Sequence, residues 1–86
     1  MQFHVEFKYR PEEREKLFRF LDSGALQTEE PLRIVGSWIA VETGTGYAIV
    51  ETTDAKSLYS LCSNWSEHGC VKVSPLLSMK ELDRES

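Results

Sequence analysis

Residues 36–52, GSWIAVETGTGYAIVET, decide how the rest of the chain is read. The glycine pair at Gly44 and Gly46 fits either a phosphate-cradling loop or the bend between two strands. A phosphate loop needs glycines that lead directly into a helix whose first amides receive the anion, with a lysine or an acidic partner at set spacing. Here the residues after Gly46 are Tyr47, Ala48, Ile49 and Val50, a strand-forming run. The segments 32–41, LRIVGSWIAV, and 46–52, GYAIVET, are both rich in β-branched and aromatic residues, and Glu42-Thr43-Gly44-Thr45 separates them. That pattern predicts a β-hairpin, with Gly44 and Gly46 supplying positive φ at low steric cost.

Working outward, QFHVEFKY at residues 2–9 alternates Phe3, Val5, Phe7 and Tyr9 with His4, Glu6 and Lys8, which predicts a strand with one apolar face. Pro11 suits a first helical turn, Glu12 and Glu13 suit the positive end of a helix dipole, and Gly24 suits a helix end. Leu17, Phe20 and Leu21 form the apolar stripe of that helix, and the charges from Glu12 to Arg19 form a solvated face of i,i+4 pairs. Asp54 is placed to cap a second helix whose Leu58, Leu61, Cys62 and Trp65 repeat at the 3,4 spacing of a buried face, with Gly69 near its end. CVKVSPL at residues 70–76 predicts a last strand with Val71 and Val73 inward, and Pro75 puts it at an edge. Ser78-Met-Lys-Glu81 fits a capping box before a short helix. The order β-α-β-β-α-β predicts an α+β, ferredoxin-like domain: a four-stranded antiparallel sheet, first and third strands central, with both helices on one face. The domain is expected to span residues 1–78, and residues 79–86 a short C-terminal helix or frayed tail.

Composition narrows the function classes. The 86 residues carry a net charge of −4 with scattered basic residues, which argues against nucleic acid as a partner. No run approaches the ~20 apolar residues of a membrane span, and the amino terminus alternates where a leader would be basic and then apolar, so no membrane partner and a cytoplasmic location are expected. In that compartment Cys62 and Cys70 read as free thiols. With two separated histidines and no Cys-x-x-Cys, no metal site and no cofactor are expected. Cys62 could serve as a nucleophile only with His68 brought beside it, and its position on a helix stripe favours a packed thiol.

A chain this short buries a thin core, so the uncovered face of the sheet carries most of the functional interest. For a hairpin turn of two or four residues, side-chain parity puts Val35, Ile39, Val41, Ala48 and Val50 beneath the helices. The open face then holds His4, Glu6 and Lys8, Ile34, Trp38 and Ala40, Tyr47, Ile49 and Glu51, with Lys72 and Ser74. An apolar patch rimmed by polar groups marks an interaction surface. One reading is a homodimer interface through Trp38, Tyr47 and Ile49. A sharper reading adds a cavity between two sheets, in which His4 flanked by Glu6 would act as acid or base, or a small apolar or aromatic ligand would bind.

The segments FHVEFKYRPEER, GSW before the glycine turn, GYAIVET, WSEH and the closing VKVSPLL resemble, over nearly the whole chain, the small bacterial proteins of domain of unknown function family 3303. That family is similar in fold to the dimeric α/β barrels, which include monooxygenases and muconolactone isomerases, so the resemblance implies a dimer. It implies no particular reaction. Ile39 stands where the family pattern tends to place a histidine, and no site is carried over there. The expected function is a non-catalytic dimeric binding or interaction module. The alternative is a small cofactor-independent enzyme, isomerase- or monooxygenase-like, with its pocket around His4.

Overall fold

The computed structural model describes residues 1–82. In it the hairpin, β2 (Leu32–Ala40) and β3 (Thr45–Thr52), joins β1 (Gln2–Tyr9) and β4 (Gly69–Leu76) in one antiparallel sheet of order β2-β3-β1-β4. The central pair is thus the first and third strands, as the ferredoxin-like order requires. A 3-10 turn at Pro11–Glu13 leads into α1 (Arg14–Asp22), α2 (Ala55–Ser66) precedes β4, and a short α3 (Met79–Leu82) follows it. The α+β architecture and the strand order agree with the sequence expectation. Residues 83–86 of the predicted tail lie outside the described residues.

The element ends have identifiable causes. Pro11 begins the 3-10 turn, where its missing N–H costs no bond, and α1 ends at Asp22, followed after Ser23 by Gly24, whose φ of 94° a side chain would resist. Asp54 caps α2 by accepting from the Lys56 amide at 3.2 Å and from the Ser57 hydroxyl at 2.8 Å. The capping box at α3 forms in both directions: the Ser78 amide donates to Glu81 at 2.9 Å, and the Glu81 amide donates to Ser78 Oγ at 3.0 Å. The Ser78 amide, and after it the Ser78 hydroxyl, hydrogen-bond to the Glu81 carboxyl and hold it below its ordinary pKa. On α1, Arg19–Glu15 is an exposed i,i+4 pair as expected, whereas Lys16 pairs at i,i+3 with Glu13 of the 3-10 turn, whose side chain is largely covered.

The core is two small clusters on the helical side of the sheet. Val5, Leu32 and Val50 meet Leu58 and Leu61 of α2, while Phe7 and Tyr9 meet Leu17, which is 1% exposed, with Phe20, Leu21 and Trp65 around them. The Trp65 indole joins the helices to the sheet: its centroid lies 5.1 Å from both Phe7 and Phe20, edge-on to each. Val71 touches both clusters.

Two expectations about the hairpin change. The turn is the four residues Val41–Gly44, closed by the Gly44 amide donating to the Ala40 carbonyl at 3.0 Å. Gly44 has φ 67° and so needs to be glycine, but Gly46 has no positive φ and is an ordinary strand residue opposite Phe7. The second change is a register shift in β2: Ile34 pairs with Val50 and Gly36 with Ile49, leaving Val35 as the extra residue of a β-bulge. The bulge exchanges the two neighbours. Ile34 packs on the helical side against the Val5–Val50 cluster, and Val35 is 48% exposed. A bulge resets side-chain parity, so simple alternation mis-sorts every β2 residue on its amino-terminal side.

Candidate functional site

All four strands build the open face, and cross-strand register fixes which side chains are neighbours. His4 lies opposite Ile49 on one side and Ser74 on the other, and Glu6 lies between Tyr47 and Lys72. Lys8 faces Thr45 and Cys70, and Trp38 faces Tyr47. The face-sharing expected of His4, Glu6, Lys8, Trp38, Tyr47, Ile49 and Glu51 follows from this pairing, since directly paired residues point to the same side. The four-residue turn is one of the two lengths that keep Trp38 and Tyr47 with His4.

Trp38 is the most exposed of the aromatic residues on this face, at 61%. A Cβ added at Gly36 would come within 2.7 Å of the Trp38 ring, so the benzo end of the indole covers Gly36, two residues back on the same strand face. The glycine of GSW is a seat for the tryptophan. The His4 imidazole lies diagonally across from Tyr47, with ring centroids 5.8 Å apart at a 33° tilt. His4, Tyr47, Ile49 and Trp38 are therefore contiguous, with Glu6 and Lys8 along one border. Among the described residues no ion pair joins His4 to Glu6: the pairs formed are Lys16–Glu13, Arg19–Glu15, Arg33–Glu51 and His68–Glu13.

Glu51 is engaged in a way the sequence reading missed. Arg33 donates to its carboxylate at 2.9 Å, and Gln2 Nε2 donates to the other oxygen at 3.3 Å. The Arg33 hydrogen bond, then the Gln2 one, hold the Glu51 carboxyl below its usual pKa. This exposed cluster closes one end of the face. Arg33 escaped notice because the bulge places an odd-numbered β2 residue on the same side as the even-numbered Trp38.

The two thiols differ in setting, Cys70 on the open face opposite Lys8 and Cys62 on the helical side. Both are free; Cys70 is exposed on β4 and Cys62 is half-buried on α2, where desolvation pushes its pKa up. His68 sits against Phe20, ring centroids 4.9 Å apart, and 3.6 Å from Glu13, so its contacts are with α1 rather than with Cys62. A raised pKa makes Cys62 a poor nucleophile. Titration of the unfolded, unreduced protein with a thiol reagent is expected to find two groups, and in the folded protein Cys62 is expected to react slowly; a titre of zero would overturn the free-thiol assignment. Among the described residues no group of three or more His, Cys, Asp or Glu side chains is placed to hold a metal ion. No helix of the described residues is long and apolar enough to cross a membrane.

The chain matches the family described as Domain of unknown function (DUF3303) over residues 1–84, and it belongs to that family. No curated protein and no solved structure matches it significantly.

Proposed function

We propose that this member of the DUF3303 family works as a homodimeric binding module, its two sheets packed through the open face and enclosing a space beside His4. The observation that carries this is Trp38: a large apolar ring held 61% exposed over a glycine, on a sheet face with no helix above it.

His4, Glu6 and Lys8 lie on central strand β1, so in such a dimer they line the middle of the enclosed space, while the Arg33–Glu51 pair lies toward an end. Polar groups at the centre and apolar groups around them suit a small molecule with an aromatic or apolar body and one polar handle. The module reading is favoured over an enzyme because, among the described residues, no carboxylate is paired with His4 to orient it. Sedimentation velocity over a hundredfold concentration range is expected to show a dimer that dissociates only on dilution. His4→Ala should leave that assembly unchanged and weaken binding of imidazole-sensitive aromatic carboxylates, screened by thermal shift. A monomer at the highest concentration, or ligands indifferent to His4→Ala, would remove the reading.

A further inference from the structure

A concave feature of the molecule lies on the helical side of the sheet. Between the helices and the β2–β3 half of the sheet is a cavity of about 260 Å³. Its cause is visible in the pairing. Ser37 lies opposite Ala48 and Ile39 opposite Gly46, so three small residues occupy neighbouring helix-facing positions where a filled core would have larger ones. The sheet order adds to this, because α2 packs mainly on β4 and β3 and β2 is the edge strand, whose Leu32 end alone reaches the α2 cluster. Leu17 and Leu21 of α1 and Cys62 and Trp65 of α2 form the facing wall, and Phe18, Leu26 and Ile39, all exposed, flank the space.

We infer that this helix-to-sheet cavity is a binding site for a small neutral apolar molecule of one or two rings. The class follows from the lining, which contains no charged side chain; a charged ligand would lose its hydration without gaining a partner. The size follows from the volume. An apolar protein cavity of about 150 Å³ stays dry and takes up benzene, so a space of about 260 Å³ admits a fused two-ring molecule. Aromatic edges are available to it from Phe7 and Trp65, and the Cys62 sulfur supplies a polarizable contact. Trp38 and Tyr47 of the open-face patch also border the space, but its other walls are the helices and the helix-facing side of the sheet, and the site does not depend on dimerisation.

Naphthalene is the probe, because it is neutral and has no hydrogen-bonding group. Methyl spectra of the wild-type protein are expected to show saturable shifts at Leu17, Leu21 and Val50. In Cys70→Ser, which isolates Cys62, naphthalene should slow modification by N-ethylmaleimide by the factor 1 + [L]/Kd, about tenfold at nine times the Kd. Ala48→Phe fills the floor and should weaken binding at least tenfold, whereas His4→Ala on the opposite face should leave it unchanged. If Ala48→Phe does not fold, the wild-type shifts and the Cys62 protection decide the matter. The inference is overturned by no saturable binding, by methyl shifts confined to Ile49 on the open face, by unprotected Cys62, or by intermolecular contacts showing that a second copy of the chain already fills the space. A loss of naphthalene binding in His4→Ala would assign the ligand to the open face instead.

Discussion

Trp38→Asp is expected to convert a dimer into a monomer and to lower the melting temperature in a concentration-dependent way. The indole is 61% exposed in the single chain, which leaves on the order of 100–150 Å² of a large aromatic to be covered by a partner. At ~25 cal/mol per Å² that is about 3 kcal/mol for each protomer. A two-fold interface uses the same patch twice, so both tryptophans are lost together and the effect doubles. A rise in the dimer Kd of at least about a thousandfold follows. The aspartate adds to this, because an unpaired carboxylate in a closed interface costs several kcal/mol, and the basic residues of the face are not free to rescue it equally: Arg33 is already bound to Glu51.

Within one chain the same substitution should do little. Trp38 touches the space above Gly36 and faces Tyr47 across the pair, and neither contact belongs to the two buried clusters. Sedimentation of wild type and variant, with melts at several protein concentrations, separates the cases. A wild type that stays monomeric when concentrated, with an unchanged variant melt, would mean that the face is open to water and that the dimer reading is wrong.

The legible and illegible parts of this chain divide along physical lines. Alternation in QFHVEFKY, the 3,4 spacing of Leu58, Leu61, Cys62 and Trp65, and the capping residues Asp54 and Ser78 are local signals, and the elements they predict are present. The strand order followed from connectivity. The bulge at Val35 could not be read, because it is set by which β2 residues fit against β3 and by the burial that Ile34 gains beneath α2; no local residue type demands it. Its consequences reach the candidate site, since it brings Arg33 to Glu51 and seats Gly36 below Trp38. The helix-side cavity was likewise hidden. Ser37, Gly46 and Ala48 are unremarkable in sequence and become neighbours only through the pairing of two strands.

Gly69 shows the same limit at a position where the consequence should be large. Its sequence context suggests a helix terminator, yet it has no positive φ; what it meets is the backbone of β1. A Cβ there would collide with the Lys8 carbonyl oxygen and lie 2.7 Å from Tyr9 Cα and 2.9 Å from the Lys8 carbonyl carbon. Backbone atoms cannot rotate away as a side-chain tip can. The neighbourhood is also fastened, with the Arg10 amide donating to the His68 carbonyl at 3.3 Å and Arg10 Nη2 donating to the Glu67 carbonyl at 2.9 Å. Gly69→Ala must therefore prise the start of β4 from the end of β1, beside the buried Tyr9. Overpacking of this kind costs about 1–3 kcal/mol and occasionally more, and with no flexible neighbour the upper end is expected, about 3 kcal/mol. For a domain of this size each kcal/mol moves Tm by roughly 4–8 °C, so a fall of more than about 10 °C should be seen. Gly46→Ala is the matched control: its Cβ would approach nothing closer than 3.8 Å, and replacing a strand glycine should leave the melt unchanged or raise it slightly. Equal melts for the two variants would show that β4 starts elsewhere than against Lys8 and Tyr9. Because Lys8 and Cys70 are paired on the open face immediately beyond this junction, a Gly69→Ala protein that still folds should also lose register there. Its dimer should then weaken even though no residue of the Trp38 patch has changed.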